Sequence, residues 1–257
     1  MISIYKKVKI SFFLIFILFI ALLSGLFRDV ITFFLIIIFH ELGHVCSSYI
    51  FKWKIDKIEF SICGGYITYN EVIDKPFKEE FLIAISGFLF QVLLFFITNI
   101  LGELYILDLH TLYLINKYNL SILFFNMLPV YPLDGSKIVY ILINKYLPYK
   151  KSLKIIIIIS IIFILLFYGY FLITNRLELS YIILISFILS KIIKYKKDIP
   201  YLFNKLLFER YVYPITTNKY NYIMGNNINL FKRQKKNIFK INKHYIKESV
   251  ILSKKFD

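Results

Sequence analysis

Long apolar runs recur along this chain and constrain its fold more than any other feature. A membrane-spanning helix needs about 17–25 apolar residues, and six runs approach that length: 11–27, 30–51, 81–101, 104–128, 155–174 and 179–193. Hydrophobic residues make up 58% of the 257 positions, a composition that soluble domains do not have. The sequence therefore predicts an all-α membrane protein with about six transmembrane helices.

The first run has an alternative interpretation as a signal peptide. It follows the basic start "MISIYKKVK", which is typical of secretory signals. The segment after the run, "LLSGLF", lacks the small-x-small pattern of a cleavage site. We therefore expect residues 11–27 to remain as a membrane anchor.

Positive charge is distributed unevenly between the segments that join the runs. The net charge is +16, and lysines cluster before the first run, within 52–80, within 145–154 and after 195. The positive-inside rule then predicts a multi-pass protein of the cell membrane with both termini and the basic loops in the cytoplasm. Anionic lipid of the cytoplasmic leaflet accounts for the Lys-rich end, so we expect the lipid bilayer and no nucleic acid among the partners.

Two segments depart from the helical pattern. In "KIEFSICGGYITY" apolar and polar residues alternate and then reach Gly64-Gly65, which predicts a short cytoplasmic-side hairpin, with a plain interfacial loop as the alternative. In "NMLPVYPLDG", Pro129 and Pro132 interrupt any regular helix. Irregular backbone at membrane depth is tolerated only where protein or a water-filled cavity covers it, so we expect a broken helix at the active site.

The second run contains three ionisable residues, in "FHELGHVCSSY". A charged side chain at the centre of a membrane helix costs about 2.5–3.5 kcal/mol on insertion scales, so such residues indicate a function. His40 and His44 are four positions apart, about 40° apart around a helix, and both can bind one metal ion. Glu41 points away from that axis, as the general base does in the H-E-x-x-H motif of metalloproteases.

A catalytic zinc site also needs a third protein ligand. Asp134, in "YPLDGS", is the carboxylate whose predicted membrane depth matches that of the histidines. We therefore expect one zinc ion per chain, held by His40, His44 and Asp134, since two imidazoles, a carboxylate and an open position favour zinc. The other candidates lie toward the opposite membrane face or in the tail: Glu103, Asp108, His110 and His244.

Asn126 opens the broken segment and places an amide in an apolar environment. We expect it to donate a hydrogen bond to the substrate carbonyl or to orient an extended peptide. Capping of the broken helix is the alternative role for this residue.

The two motifs together resemble the site-2 protease family of intramembrane zinc metalloproteases. "FHELGHVCSSY" precedes "NMLPVYPLDG" by about 90 residues, and the likeness is greatest to the sporulation branch. The resemblance covers residues 1–195, which it implies form a six-span protease core, and leaves 196–257 as a small basic cytoplasmic tail. It implies a metalloendopeptidase that cleaves a membrane-tethered precursor near the cytoplasmic face, namely pro-sigma-K during sporulation, with membrane regulatory proteins as further partners.

One family motif is altered in this chain. Where members of the family have G-P-x-x-N in the third span, this chain has "SGFLFQ". Gly87 is kept, Phe88 replaces the proline, and Gln91 replaces the asparagine but keeps an amide.

Two other classes of protein could use the same residues. A membrane metal transporter or sensor would bind metal through the same histidines without hydrolysis. A pseudoprotease would bind a membrane partner without cleaving it. Glu41 follows the first histidine directly, and every catalytic residue is present, so the sequence favours hydrolysis over both.

Overall fold

The computed structural model describes residues 8–10, 16, 19–20, 23–61, 64–174, 178–241 and 244–256. The chain divides into two compact units. The first unit consists of residues 1–71 and 82–127, and the second unit of 72–81 and 128–257.

Helices and two small sheets make up the described part of the chain. The helices are α1 (Phe27–Ile50), α2 (Phe77–Glu103), α3 (Leu109–Met127), α4 (Asp134–Tyr146), α5 (Tyr149–Ile173), α6 (Leu179–Val212) and α7 (Glu248–Phe256), with a 3₁₀ turn at Ile228–Leu230. The strands are β1 (Val8–Ile10), β2 (Ile55–Ser61), β3 (Gly64–Tyr69), β4 (Tyr220–Met224), β5 (Lys236–Ile241) and β6 (His244–Lys247). The predicted, mostly helical fold is confirmed, but the chain has more sheet than the single predicted hairpin, because short segments of alternating apolar and polar residues form two three-stranded sheets.

The first sheet belongs to the first unit and has the strand order β1-β2-β3. Strands β2 and β3 pair antiparallel, so the predicted hairpin is confirmed, although residues 62–63 of its turn lie outside the described residues. Gly64 has a φ of +111°, which only glycine adopts without steric cost. Phe60 of β2 packs on an apolar core formed by Ile36 and Ile37 of α1 and Ile122 of α3.

Three of the predicted membrane spans are confirmed as helices of sufficient length and apolarity. Among the described residues these are α1, α2 and α5. Helix α3 carries Asn116, Lys117 and Asn119 near its middle. Helix α6 has twelve residues before Lys191, which extend for about 18 Å against about 30 Å of hydrocarbon. The run at 11–27 lies largely outside the described residues, and the total of six spans stays a prediction.

The predicted helix break is present between α3 and α4. Helix α3 ends at Met127 and α4 begins at Asp134, and Pro129 and Pro132 lie in between. Within the second unit, the backbone N–H of Tyr131 donates to Ser160 Oγ of α5 at 2.9 Å. The irregular backbone therefore finds a partner in a neighbouring helix, as it must when it is shielded from water.

The chain after residue 195 is folded. Helix α6 continues to Val212, and the second sheet has the order β4-β5-β6, with β4 parallel and β6 antiparallel to β5. Ile223, Phe239 and Leu252 of α7 are buried in the core of this module. The predicted division into a core of 1–195 and a tail of 196–257 stays a prediction.

Candidate active site

Helix α1 brings the three ionisable residues of the motif together. His40, Glu41 and His44 are 2%, 6% and 3% exposed, and one ligand atom from each lies within 4.8 Å of the others. The Nε2 atoms of His40 and His44 are 3.2 Å apart. The four-residue spacing thus places both imidazoles on one face of the helix, as the sequence predicts, because they lie on successive helical turns.

The second imidazole is oriented by the backbone of α2. His44 Nδ1 lies 2.7 Å from the carbonyl oxygen of Ile83 and 3.3 Å from Ser86 Oγ. A carbonyl oxygen can only accept, so Nδ1 carries the hydrogen and donates it. In the neutral ring Nε2 is then the atom with a free electron pair, as metal coordination requires.

The first imidazole is oriented by two buried amides. His40 Nδ1 lies 2.9 Å from Gln91 Oε1. Gln91 Nε2 donates to the carbonyl oxygen of Asn119 at 3.3 Å, and Asn119 Nδ2 donates to the carbonyl oxygen of Gln91 at 2.9 Å. The contact with Asn119 fixes which end of the Gln91 amide faces the histidine, so Nδ1 of His40 donates to Oε1. Its Nε2 is therefore also an electron-pair donor.

The two imidazoles fit a bound metal ion. In this tautomer neither Nε2 carries hydrogen, so the two atoms cannot hydrogen-bond to each other across 3.2 Å. Two nitrogens that each lie 2.0–2.1 Å from a tetrahedral zinc ion are roughly 3.3–3.4 Å apart. The donor set and the spacing are those of two zinc ligands whose outer nitrogens are held by hydrogen bonds.

Gly87 leaves room for the two imidazoles. A β-carbon at this position of α2 would lie 2.5 Å from His40 Cε1 and 2.6 Å from His44 Nε2. Any side chain would therefore push into the ligand atoms. Gly43 of α1 likewise allows α1 and α2 to lie close together. A β-carbon at this position would lie 2.5 Å from the carbonyl oxygen of Ser86.

Strand β3 lies against the side chain of Glu41. A β-carbon on Gly65 would overlap the Glu41 carboxyl group, so glycine lets the strand backbone reach the proposed base. Ser48 Oγ donates to Tyr69 Oη at 3.0 Å and ties the far end of β3 to α1. The hairpin thus shields Glu41 from solvent, and the face of β3 lies against its carboxyl group.

The remaining predicted site residues lie on other elements. Asp134 is the first residue of α4 in the second unit; it is buried and accepts an ion-paired hydrogen bond from Lys137 Nζ at 2.8 Å. Asn126 lies in the last turn of α3 in the first unit and is half-buried. The roles of Asp134 as third ligand and of Asn126 at the substrate stay predictions.

Sequence reasoning missed part of this arrangement. The sequence identifies Gln91 as a retained amide but gives it no role. It does not indicate that Asn119 or Gly65 contributes to the site. The available signal was the presence of amides inside two apolar helices, since a buried amide needs partners. For Gly65, the pair of glycines in the hairpin was the signal, but it could not show which residue the backbone approaches.

A buried H-E-x-x-H group on an apolar helix defines the protein as a membrane metalloprotease. Comparisons with known proteins agree. Residues 106–167 match Peptidase family M50. Stage IV sporulation protein FB of Bacillus subtilis is 34% identical over 205 residues, 80% of this chain and 71% of that protein.

Two further similarities are to Methanocaldococcus jannaschii, one to a protein sequence and one to a solved structure. A zinc metalloprotease is 29% identical over 128 residues, which cover 49% of this chain and 37% of that protein. The solved structure of a site-2 protease has the same fold, with a TM-score of 0.60 at 21% identity over 76% of this chain and 93% of that one. The chain belongs to the site-2 protease family, Peptidase family M50, as its motifs predicted.

Proposed function

We propose that this protein is a zinc protease that cleaves membrane-tethered protein substrates near the cytoplasmic face of the cell membrane. The observation that carries the proposal is the geometry around Glu41. Its carboxylate is buried within 4.8 Å of two imidazole nitrogens that are oriented as metal ligands. A metal transporter or sensor would need those ligands, but it would not need a base beside them.

The metal would be held by His40, His44 and Asp134. The Asp134 carboxylate is buried at the amino end of α4. When bound, the zinc ion supplies Lewis acidity that makes a water molecule more acidic and polarises a peptide carbonyl.

The protein's own groups would move the protons. The Glu41 carboxylate takes a proton from the attacking water and returns it to the leaving nitrogen of the scissile bond. The Asn126 amide would donate to the carbonyl oxygen as negative charge develops there. Gln91 and the carbonyl oxygen of Ile83 keep the imidazoles in place throughout.

The substrate would bind as an added strand. A helical substrate hides its peptide bonds, so it must be extended before cleavage. Strand β3 pairs with β2 on one side and, among the described strands, with no other. Gly65 lets the backbone of β3 approach Glu41 closely. A peptide hydrogen-bonded along β3 would therefore run past the base in extended form.

Pro-sigma-K is the proposed substrate. Stage IV sporulation protein FB connects this chain to sporulation by its name. The lysine distribution would place the active-site end of α1 on the cytoplasmic side, where a tethered cytosolic precursor can reach it. Membrane regulatory proteins of sporulation would be further partners.

Co-expression with pro-sigma-K from the same organism tests the proposal. The wild-type chain should shorten the precursor, as seen on a gel. Glu41→Gln should leave the protein inserted and zinc-loaded but lower the cleavage rate by roughly 10²–10⁴-fold, because it removes only the base. A precursor that stays intact with the wild-type chain, even without its regulators, would exclude this substrate. An unchanged rate in the Glu41→Gln variant would exclude the mechanism.

A further inference from the structure

The second sheet has two faces of opposite character. Ile223, Asn237 and Phe239 point to one side, where they are buried. The residues that alternate with them form the opposite face. We call this the tyrosine–lysine face, and it includes Tyr220, Tyr222, Met224, Lys236, Lys240 and Tyr245, with Ile238 and Lys247 beside them.

The tyrosine–lysine face is both aromatic and cationic. The Nζ atoms of Lys236 and Lys240 lie 6.0 and 5.8 Å from the ring centroids of Tyr220 and Tyr245. The rings of Tyr222 and Tyr245 lie 6.1 Å apart. The three strands contain no aspartate or glutamate. An exposed patch of large side chains indicates a binding surface, and this one would favour an anionic partner.

The module that carries this face is attached to the start of a membrane helix. Within the second unit, the backbone N–H of Tyr149, the first residue of α5, donates to the carbonyl oxygen of Phe231 at 3.0 Å. Lys150 Nζ donates to Asn229 Oδ1 at 2.7 Å. Helix α5 is one of the three helices that can cross a bilayer. The sheet is therefore held near the level where that helix enters the membrane.

We propose that the tyrosine–lysine face lies on the membrane surface and binds anionic lipid headgroups. Tyrosine is enriched at the boundary between lipid and water, where its ring is apolar and its hydroxyl is hydrated. Lysines beside the rings would contact lipid phosphates. This inference goes beyond the proteolytic function. It assigns a membrane contact to a part of the chain in which the hydropathy pattern predicts no membrane span.

Fluorescence quenching in the full-length protein tests the contact. Cys46 and Cys63 are replaced by alanine, and a fluorophore is attached to a cysteine at Met224, which is 73% exposed. The protein is reconstituted in phosphatidylcholine vesicles, with and without phosphatidylglycerol, that contain a lipid with a nitroxide on its headgroup. The label should be quenched strongly, and more strongly with phosphatidylglycerol. Replacing Lys236 and Lys240 by glutamine should remove the added effect of the anionic lipid.

A label at Ser249 is the matched control. Ser249 is exposed on α7, which packs on the buried side of the same sheet, so quenching there should be weak. Equal quenching at the two positions, or none at Met224, would overturn the proposal. The proposal would also be overturned if lipid does not quench the Met224 label and added oligonucleotide, or a second copy of the chain, shields the label from solvent. That result would indicate the shielding molecule as the partner.

Discussion

Gln91 Oε1 accepts a hydrogen bond from His40 Nδ1 at 2.9 Å and links the first histidine of the motif to helix α2. The amide is itself held by Asn119 of α3 through two hydrogen bonds. Gln91 is 0% exposed, so water cannot replace it. The ring of His40 therefore depends on a chain of buried amides that crosses three helices.

Gln91→Leu should weaken zinc binding while leaving the protein inserted. Leucine is of similar size but cannot accept from Nδ1, and loss of such an outer hydrogen bond typically lowers metal affinity 10–100-fold. Zinc retention of the purified protein against a series of chelators measures this. Thr98→Val is a matched control on α2, because the Thr98 hydroxyl donates to carbonyl oxygens of its own helix, those of Leu94 and Phe95. Equal zinc affinity of the two variants would show that Gln91 does not position His40.

Gly87→Ala should disrupt the site by steric overlap. The added methyl group would lie 2.5–2.7 Å from three atoms of His40 and His44, so the imidazoles must move. A displacement of about 1 Å in an active site can cost roughly 10²-fold in rate. Cleavage of the precursor and zinc content per chain are the measurements.

Gly169→Ala is the control for this change. Gly169 lies in α5, and a β-carbon there would meet nothing within 4 Å. The exchange should leave cleavage unchanged and favour the helix by about 0.5–1 kcal/mol. Full activity of Gly87→Ala would mean that helices α1 and α2 can move apart more easily than their packing suggests.

The orientation of the protein in the membrane can be tested by cysteine labelling. In a background without Cys46 and Cys63, single cysteines are placed at Leu104 and Asn70, both of which are exposed. The lysine distribution predicts that residue 104 lies outside and residue 70 in the cytoplasm. An impermeant reagent added to intact cells should modify only the cysteine at 104, and both after permeabilisation. The reverse result would place the active site on the other side of the membrane.

The sequence predicts the relative positions of the motif residues on α1, because these positions depend only on local helical geometry. The spacing of His40, Glu41 and His44 fixes their common geometry as soon as the segment is helical. Gln91 and Gly65 are separated from them by many residues, and only tertiary packing decides which side chains they meet. The sequence motif therefore predicts the ligands but not the groups that orient them.

The second sheet, formed by β4, β5 and β6, is not among the elements predicted from the sequence. "KYNYIM" and "KNIFKI" alternate apolar and polar residues as strands do. The many lysines made the segment resemble a solvated tail. The alternation is informative here because the lysines occupy the exposed side of the sheet, while Ile223 and Phe239 are buried.

Two buried arginines hold the second unit together. Arg210 of α6 pairs with Asp74 and with Glu248 of α7. Arg233 pairs with Glu80 and donates to the carbonyl oxygen of Lys75 at 3.1 Å. Burial acts to lower the pKa of Arg233, but the interactions with Glu80, Tyr140 and Asp74 together outweigh this effect, and the pKa lies above its usual value. Both cations are therefore bound to the segment 72–81, which connects β3 to α2 along the chain.

Arg210→Met should destabilise the protein strongly. The exchange removes the buried cation of Glu248 and leaves Asp74 only its longer ion pair with Arg233, at 3.9 Å. Breaking a buried pair in this way costs about 3–5 kcal/mol. Lys205→Met is the matched control on the same helix, because its pair with Glu209 is partly exposed and contributes no more than about 1 kcal/mol. The midpoint of thermal unfolding of the detergent-solubilised chain should fall far more for Arg210→Met. Similar midpoints for the two variants would show that the basic end of the chain does not anchor residues 72–81.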